Sequence, residues 1–484
     1  MKGRSAARIR GFMLVPRIVI AALKGGAGKT FLTVGLAAAL RARGLSPSVF
    51  KKGPDYIDAG WLGLAAGCNC HNLDSYLFDD RVVTASFLRR AKEGQIAVVE
   101  GNRGLFDGVD AEGSFSTAAL AKLLAAPVVL VLDAAKVTRT AAAMVIGCRA
   151  LDPGVDLQAV ILNRVAGPRH ERALRDSIED AAGVPVIGSV SKLPLDSFPQ
   201  RHLGLLPLYE HPGANEFVSE ASGIVERSID LDRLTSVAFA ATPLKVDCDC
   251  KAERRLATTS GIRIGVLRDS AFQFYYPENL EALTSSGADL VHVSALDHVP
   301  LPDVDGLYIG GGFPETHAER LSENHVFKES LCSAVAAGLP VYAECGGLMY
   351  LSRQLRVDDC AYPMVGALPV TAVLERKPQG HGYIKVEVVR PNPFYPVGTQ
   401  LTGHEFHYSY VTAVEGDRAS YTFKVLRGHG IDGAQDGLCC GSILGTYVHV
   451  HALGAPLWAE GILSQARSFR ARRWDRGDKR RKVG

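Results

Sequence analysis

A glycine-rich loop between an apolar run and a helical pattern constrains the fold of this chain more than any other feature. Residues 18–22 (IVIAA) predict a buried strand, and residues from Thr30 to about Arg43 predict a helix. The segment between them, KGGAGKT at 24–30, matches a phosphate-binding loop, in which glycines let backbone N–H groups surround phosphate oxygens. A strand, such a loop and a helix in this order indicate a parallel α/β sheet that binds a nucleotide.

Two lysines and a threonine give this loop its expected chemistry. Lys29 is placed to contact the β- and γ-phosphates, and the hydroxyl of Thr30 is placed to bind Mg²⁺. Leu23 stands where the common pattern has glycine, and Lys24 is an additional lysine. This variant resembles the loops of dethiobiotin synthetase and of partition and division-site ATPases, in which the extra lysine reaches across a dimer. The expected ATP-binding residues are Lys24, Gly25, Gly26, Gly28, Lys29 and Thr30.

Further apolar runs end in polar residues, as strands of a parallel sheet do at a ligand-binding edge. The runs at 96–100 (IAVVE), 128–133 (VVLVLD) and 159–163 (AVILN) are continuous rather than alternating, which indicates strands buried on both faces. Glu100 ends the first of these runs and is the expected second anchor for Mg²⁺. The segment KKGPDYID at 51–58 carries two carboxylates, but its spacing alone leaves open whether it is functional.

A cysteine at a sharp strand-to-helix turn predicts a second active site. The sequence VYAECGG at 341–347 predicts a strand, then Cys345, then two glycines that open a helix, which is the arrangement of a nucleophile elbow. The helix N-terminus is expected to lower the pKa of the Cys345 thiol. His449, about a hundred residues later, is the expected base. The expected oxyanion and substrate pocket is formed by Gly310, Gly311, Gly312 and Gly346.

The two sites belong to two predicted α/β domains joined by a polar segment. Residues 240–261 are charged and aperiodic, and a second α/β pattern begins at Ile262. The last residues hold nine Lys or Arg against two Asp, which predicts a solvated basic tail. The predicted boundaries are an N-terminal extension at 1–15, a phosphate-loop domain at 16–239, a linker at 240–261, the cysteine-dependent domain at 262–466 and the tail at 467–484.

Composition excludes several classes of protein. Of 484 residues, 47% are hydrophobic and 22% charged, which supports folded domains rather than a disordered or fibrous chain. Apolar runs are shorter than the ~18 residues of a membrane span, and a net charge of +3 gives no indication of nucleic-acid binding. Ten cysteines are too few for a disulfide scaffold, so a cytoplasmic location is expected. Cys68-x-Cys70-His71 and Cys248-x-Cys250 have poor spacing for a metal site and are expected to be structural.

Seven motifs, taken in order along residues 15–465, resemble those of one family. They are GPDYID (53–58), EGNRGLFDG (100–108), RDSAFQFYYPENL (268–280), DGLYIGGGFPE (305–315), AECGGLMYL (343–351), HEFHYS (404–409) and GTYVHVH (445–451). The chain resembles the cobyrinic acid a,c-diamide synthases, a family that also includes hydrogenobyrinic acid a,c-diamide synthases and sirohydrochlorin-type amidases.

The resemblance implies an α/β fold with an N-terminal P-loop NTPase-like domain and a C-terminal class I glutamine amidotransferase-like domain. It implies that Cys345 attacks the amide of L-glutamine and that His449 moves the proton. The first domain would use ATP and Mg²⁺ to phosphorylate a carboxylate of a tetrapyrrole polycarboxylate, with Asp55, Asp58 and Asp107 in the synthetase site. Ammonia would then form amides on the a and c acetate side chains of cobyrinic or hydrogenobyrinic acid, a ligase reaction of cobalamin biosynthesis.

Two other functions stay open on the sequence. Sirohaem or a metal-sirohydrochlorin presents similar acetate and propionate arms, and Arg103 lies where it could alter which acid side chain is preferred. Lys24 and the basic tail also suit a partition-type ATPase switch, for which a homodimer is expected, whereas the cysteine elbow and His449 argue against a switch. Neither a nucleic-acid nor a membrane partner is expected.

Overall fold

The computed structural model of the protein describes residues 7–9, 11–91, 95–192, 200–201, 204–245, 261–412 and 419–483. Internal contacts divide the chain into two units, Met1–Glu253 and Arg254–Gly484. The predicted linker lies outside the described residues from 246 to 260. In the part of the chain that is described, no helix combines the length and the apolar character needed to cross a lipid bilayer.

The described part of the first unit alternates strands with helices. Its strands are β1 (Ala7–Ile9), β2 (Phe12–Leu14), β3 (Arg17–Ala22), β4 (Pro47–Lys52), β5 (His71–Leu73), β6 (Ile96–Glu100), β7 (Val128–Asp133), β8 (Leu157–Val165), β9 (Val186–Ser191), β10 (Gln200–Arg201), β11 (Gly204–Leu205) and β12 (Leu244–Lys245). Its helices are α1 (Lys29–Ala42), α2 (Ile57–Ala66), α3 (Asp80–Ala91), α4 (Thr117–Leu123), α5 (Thr140–Leu151), α6 (Pro168–Ala182), α7 (Ala214–Ser228) and α8 (Leu231–Phe239).

A parallel sheet places the polar strand ends of the first unit at one edge. Within the described residues it has seven strands in the order β5-β4-β6-β3-β7-β8-β9. All six side chains of β3 are buried, and β3 pairs in parallel with β6 and β7, so that Ile20 lies opposite Glu100. The carboxyl ends of neighbouring parallel strands meet at the same edge, so the loops after β3, β4 and β6 come together there. The predicted α/β class is confirmed.

The second unit combines a parallel half with an antiparallel half. Its strands are β13 (Ile262–Leu267), β14 (Phe272–Phe274), β15 (Ala288–Val293), β16 (Gly306–Ile309), β17 (Gly311–Gly312), β18 (Val341–Glu344), β19 (Gln354–Val357), β20 (Cys360–Pro363), β21 (Thr371–Leu374), β22 (Gly380–Val388), β23 (Gln400–His407), β24 (Ser409–Val411), β25 (Ser420–Arg427), β26 (Gln435–Cys440), β27 (Ile443–Thr446) and β28 (His449–Val450). Its helices are α9 (Pro277–Ser285), α10 (Ala318–Glu323), α11 (His325–Ala336), α12 (Gly346–Leu351) and α13 (Leu457–Val483).

The order of strands in this unit brings distant segments together. Among the described residues, ten strands form one sheet in the order β15-β13-β16-β18-β27-β26-β25-β22-β23-β28. The strands from β15 to β27 run parallel, and those from β27 to β28 pair antiparallel. β18 lies between β16 and β27, so the residue that follows β18 is at the carboxyl edge of the parallel half.

The basic segment at the end of the chain continues a helix instead of forming a separate tail. α13 runs through Leu457–Val483 without a break at residue 467. Phe469 is buried, and the guanidinium of Arg473 lies 2.6 Å from the carboxylate of Asp303. The apolar face of the helix therefore extends past the predicted boundary, which basic composition alone does not reveal.

Candidate active sites

The phosphate loop is held in place by side chains from the end of β8. Gly26 and Gly28 have φ of 71° and 89°, a backbone region that glycine adopts without a steric penalty. A Cβ at Gly28 would collide with the side-chain amide of Asn163, which donates a hydrogen bond of 2.8 Å to the carbonyl of Ala27. Arg164 donates to the carbonyl of Gly26 at 2.8 Å. These contacts preserve the loop conformation that exposes backbone N–H groups to phosphate.

The additional lysine of the loop contacts an acid of its own chain. Lys24 Nζ lies 3.2 Å from Asp133 Oδ2 at the end of β7, and its side chain remains 66% exposed. Arg164 Nη1 also donates to this oxygen, at 2.9 Å. Lys24 is therefore tethered near the loop but accessible to solvent, which leaves the predicted homodimer untested.

Two side chains, those of Thr30 and Lys51, contact Glu100 at the end of β6. The hydroxyl of Thr30 donates to Glu100 Oε1 at 2.9 Å. Lys51 Nζ donates to the same oxygen at 2.6 Å and to Asp58 Oδ2 at 2.6 Å. Glu100 is completely buried, and its Oε2 has no hydrogen-bond partner among the described residues. The structure thus unites the predicted Thr30 and Glu100 with one acid of the 51–58 segment, whose role the sequence left open.

Burial and neighbouring charges set the protonation of this cluster. Burial would lower the pKa of Lys51, but Asp58 and Glu100 outweigh it and raise that pKa well above its usual value. Burial raises the pKa of Glu100, against the opposing effect of Lys51. Burial, followed by repulsion from Asp58, raises the pKa of Asp55 to about 7. Asp58 and Glu100 therefore share the one buried ammonium of Lys51.

This donor set fits Mg²⁺. The available ligands are a hydroxyl oxygen of Thr30 and carboxylate oxygens of Glu100, and hard oxygen ligands are what Mg²⁺ prefers. In the described residues, no group of three or more His, Cys, Asp or Glu is arranged to hold a metal. Phosphate oxygens and water would therefore complete the coordination, as is common for Mg²⁺ beside a nucleotide.

Lys29 and Asp107 both contact the segment that follows β6. Lys29 Nζ donates to the carbonyl of Arg103 at 2.7 Å, and burial followed by Lys51 lowers the pKa of Lys29, against an opposing effect of Asp107. Asp107 Oδ2 accepts the N–H of Gly104 at 2.8 Å. The structure therefore brings the predicted Asp107 close to Lys29, where it also fixes the turn after β6.

Binding of Mg·ATP at pH 7 is expected to release protons. A carboxyl group with a pKa of about 7 is half protonated at this pH, and a nearby divalent cation favours the ionised form. Calorimetric titration of Mg·ATP in two buffers of different ionisation enthalpy measures the release. Asp55→Asn is expected to reduce it by roughly half a proton, and Asp176→Asn, on the exposed face of α6, is the control. Equal release from both variants would contradict the expectation.

Cys345 occupies the sharp turn between β18 and α12. Its φ of 49° and ψ of −101° lie where residues with side chains are rarely found, and its N–H donates to the carbonyl of Thr446 at 2.7 Å. A Cβ at Gly346 would lie 3.1 Å from the nitrogen of Gly312, and one at Gly347 would lie 2.7 Å from the carbonyl oxygen of Ile309. The two glycines therefore allow the turn to pack against the loop after β16, as the elbow motif predicts.

The predicted lowering of the thiol pKa is wrong. The Cys345 side chain is buried, and burial, reinforced first by Glu315, raises its pKa well above the usual range. The N–H of Gly346 acts in the opposite direction but is the weaker influence. Because α12 has only six residues and ends inside the protein core, its N-terminus does not offset the loss of water. The resting group is a neutral thiol that must give its proton to a base.

His449 lies beside the glycine loop and is held on two sides. A Cβ at Gly311 would lie 2.6 Å from His449 Cε1 and 3.4 Å from Nε2, so only glycine fits there. His449 Nδ1 is 3.4 Å from Glu344 Oε2. The ring of His404 stacks on that of His449, with centroids 4.8 Å apart and planes 19° apart. Burial, followed by the neighbouring His449, lowers the pKa of His404 well below its usual value, so His404 is neutral.

The structure corrects one residue of the predicted oxyanion pocket and leaves the others as predictions. The N–H of Gly310 donates to Tyr275 Oη at 2.8 Å, so this donor is already used. The nitrogen of Gly312 lies near Gly346, and the N–H of Gly346 hydrogen-bonds to the Cys345 sulfur. Gly312 and Gly346 are therefore the residues of the predicted pocket that lie beside the thiol, while Gly311 provides space for His449.

Sequence reasoning missed three residues that contact the predicted site residues. Lys51, Glu344 and His404 all lie within motifs that were recognised, but their partners are far away in sequence. The parallel register of β4 and β6 places Lys51 opposite Glu100, and the antiparallel register of β23 and β28 places His404 opposite His449. Glu344 ends β18 and Lys51 lies next to the end of β4, so a charged residue at the end of an apolar run is the signal that could have indicated them. His404 lies inside β23 and has no such local signal.

The other cysteine pairs have the following positions. Cys68 Sγ lies 3.5 Å from the carbonyl of Pro47, and Cys70 and His71 are buried beside β4. Cys248 and Cys250 lie outside the described residues. A structural role for the first pair therefore stays a prediction that is compatible with its surroundings.

Comparisons with known proteins match both units. Residues 18–205 match a family model described as a CobQ/CobB/MinD/ParA nucleotide binding domain, and residues 263–456 match one described as a CobB/CobQ-like glutamine amidotransferase domain. A cobyrinate a,c-diamide synthase from Magnetococcus marinus is 45% identical, over 92% of this chain and 96% of the relative. Proteins of the same name from Archaeoglobus fulgidus (40% identical, 94% of this chain, 98% of the relative) and Dehalococcoides mccartyi (39%, 94% and 99%) are also similar.

Proposed function

The chain belongs to the cobyrinate a,c-diamide synthase family, and we propose that it amidates the a and c acetate side chains of cobyrinic or hydrogenobyrinic acid, with ATP and glutamine as co-substrates. The observation that carries this proposal is the presence in one chain of two complementary sites. The Cys345 and His449 site suits release of ammonia from an amide, and the phosphate loop with Glu100 suits activation of a carboxylate. The enzyme is therefore a carbon–nitrogen ligase of cobalamin biosynthesis.

In the second unit, the reaction begins with the thiol of Cys345. Its sulfur attacks the side-chain amide carbon of glutamine while His449 takes the proton, and the N–H groups of Gly312 and Gly346 stabilise the oxyanion. Collapse of this intermediate breaks the carbon–nitrogen bond, and His449 returns the proton to the departing ammonia. Water then hydrolyses the γ-glutamyl thioester to glutamate and free thiol. The raised pKa of Cys345 makes this base necessary, because little thiolate exists at rest.

In the first unit, the substrate carboxylate needs activation before ammonia can react with it. A carboxylate oxygen attacks the γ-phosphorus of ATP, which yields ADP and a carboxyl phosphate. Ammonia then attacks the carboxyl carbon, phosphate leaves and a proton is lost, which gives the amide. Lys29 contacts the transferred phosphate, and Lys24 stays beside the loop. Bound Mg²⁺, held by Thr30 and Glu100, would neutralise charge on the phosphates.

The acids beside the phosphate loop have positioning roles in this proposal. Asp58 and Glu100 hold Lys51, which in turn occupies Glu100 Oε1, while Oε2 has no hydrogen-bond partner among the described residues. Asp55 accepts the backbone N–H of Asp58 at 2.8 Å and so orders the start of α2. Asp107 keeps the turn after β6 closed. A cytoplasmic location and a homodimer remain predictions.

Mass spectrometry of products tests the proposed function and its substrate. Purified enzyme with ATP, Mg²⁺ and glutamine is offered cobyrinic acid and sirohaem in parallel, with reactions lacking ATP as controls. Two successive replacements of a hydroxyl by an amino group on cobyrinic acid are expected. Amidation of sirohaem alone would retain the chemistry and correct the substrate. ATP hydrolysis with no amidated product from either compound would contradict the ligase proposal and favour a switch.

A further inference from the structure

We propose that Glu344 is the residue that positions His449 for glutamine hydrolysis, an inference that rests on the proposed function of the second unit. Glu344 is the last residue of β18 and immediately precedes Cys345. Its Oε2 lies 3.4 Å from His449 Nδ1, and the exposed fractions of the two side chains are 0% and 3%. One short segment of strand would therefore provide both the nucleophile and the acid that orients the base.

Three other deeply buried carboxylates of this unit have different neighbours. Glu278, Glu405 and Asp436 are at most 3% exposed. Their contacts are His451 Nε2 at 3.5 Å for Glu278, His407 Nε2 at 3.7 Å and the N–H groups of His429 and Gly430 for Glu405, and the N–H of Tyr447 for Asp436. Glu344, by contrast, is directed at the imidazole nitrogen that does not face the glycine loop.

The contact with Glu344 determines which nitrogen of His449 can accept a proton. A carboxylate beside Nδ1 favours the tautomer with a proton on Nδ1, which leaves the Nε2 lone pair available. Nε2 and Cε1 are the ring atoms nearest to Gly311, in the loop that also contains the oxyanion donor Gly312. When the thiol proton moves to Nε2, the negative charge of Glu344 stabilises the imidazolium that forms.

The surroundings hold Glu344 and the imidazole in this arrangement. The hydroxyl of Tyr308 donates to Glu344 Oε2 at 3.3 Å, and the N–H of Val450 donates to Oε1 at 3.4 Å. Stacking of His404 restricts rotation of the His449 ring. Burial raises the pKa of Glu344, whereas the hydrogen bond and charge of His449 lower it. A protonated His449 therefore favours the carboxylate form of Glu344, and that carboxylate in turn stabilises the imidazolium.

Substitution of Glu344 by glutamine tests this role in the full-length enzyme. Glu344→Gln keeps the shape of the side chain and removes its charge. The kcat of glutamine hydrolysis is expected to fall by about 10²–10⁴-fold, as when the carboxylate that orients the histidine of a Ser–His–Asp triad is replaced by an amide. The acidic limb of the pH profile should move to lower pH, because a neutral amide no longer stabilises the imidazolium. Amidation with ammonium chloride as nitrogen source should stay close to that of the unsubstituted enzyme.

A matched control separates positioning from structural support. Glu278→Gln makes the same change at a buried Glu beside a different histidine, and it is expected to preserve both the rate and the pH profile of glutamine hydrolysis. Equal losses in the two variants, or an unmoved acidic limb in Glu344→Gln, would overturn the proposal. Glutamate release is measured directly, so the result stands even if neither tetrapyrrole is amidated and the proposed substrate is wrong.

A second variant covers the case in which Glu344→Gln fails to fold. Tyr308→Phe removes one hydrogen-bond donor to Glu344 without changing its charge. It is expected to lower the kcat of glutamine hydrolysis several-fold while ammonia-dependent amidation is retained. Unchanged glutamine hydrolysis in folded Tyr308→Phe, in the absence of folded Glu344→Gln, would count against the proposal.

Discussion

Cys345→Ala is expected to abolish amidation from glutamine and to preserve amidation from ammonia. Without the sulfur no γ-glutamyl thioester can form, so the kcat of glutamine hydrolysis should fall on the order of 10⁴–10⁶-fold, as for loss of other catalytic nucleophiles. The carboxylate-activating residues lie in the first unit and are unchanged. The measurement is product formation from glutamine and, separately, from ammonium chloride at mildly alkaline pH, where more of the nitrogen is free ammonia.

The control for this variant is another cysteine of the same unit. Cys360 is exposed on β20, and Cys360→Ala is expected to keep both activities. If Cys345→Ala retains glutamine-dependent turnover, the nucleophile is assigned wrongly. If it loses ammonia-dependent amidation as well, the assignment of glutamine hydrolysis to the second unit and of carboxylate activation to the first is wrong.

Lys51→Met is expected to destabilise the first unit and to stop amidation from either nitrogen source. The substitution leaves the buried Glu100 and the half-buried Asp58 without their shared ammonium, and breaking a buried ion pair such as Lys51–Glu100 typically costs about 3–5 kcal/mol. The pKa of Lys51 is raised above its unfolded value, so its stabilising effect is fully present at neutral pH and is lost only as the pH rises through the folded value. Glutamine hydrolysis should persist, because its residues are in the second unit.

The adjacent lysine provides the comparison for this experiment. Lys52 is almost as buried as Lys51. For Lys52, however, the effect of burial is larger than the opposing effect of Asp74, so its pKa is lowered. Lys52→Met removes a buried ammonium of the same size, and it is expected to lower the free energy of unfolding far less. Urea unfolding and both amidation assays compare the two variants. Equal stability and activity of Lys51→Met and the unsubstituted enzyme would contradict the role of Lys51.

The strands and the phosphate loop could be predicted because their signals are local. The runs IAVVE and VVLVLD correspond to β6 (Ile96–Glu100) and β7 (Val128–Asp133) with the predicted bounds. A continuous apolar run bounded by polar residues is enough to identify a strand buried on both faces. Motifs likewise indicated Cys345 and the family to which the chain belongs, whereas the individual catalytic roles remain predictions.

What could not be predicted depends on contacts between segments far apart in sequence. Gly310 was assigned to the oxyanion pocket, but its N–H already donates to the hydroxyl of Tyr275, 35 residues earlier in the chain. The pKa of Cys345 was expected to fall, yet the packing that buries the sulfur comes from several strands. The partnership of Lys51 with Glu100 follows from the register of β4 and β6, and hydrophobic periodicity does not specify register between strands that are not neighbours in sequence.

The burial of Cys345 also affects how the protein withstands oxidants. Peroxide reacts with thiolates far faster than with neutral thiols, and it must reach the sulfur to do so. Cys345 is neutral and 6% exposed at rest, whereas Cys68 and Cys360 are exposed. Sulfenic acid would therefore form first at the exposed cysteines, and the nucleophile becomes vulnerable only while His449 holds its proton during turnover.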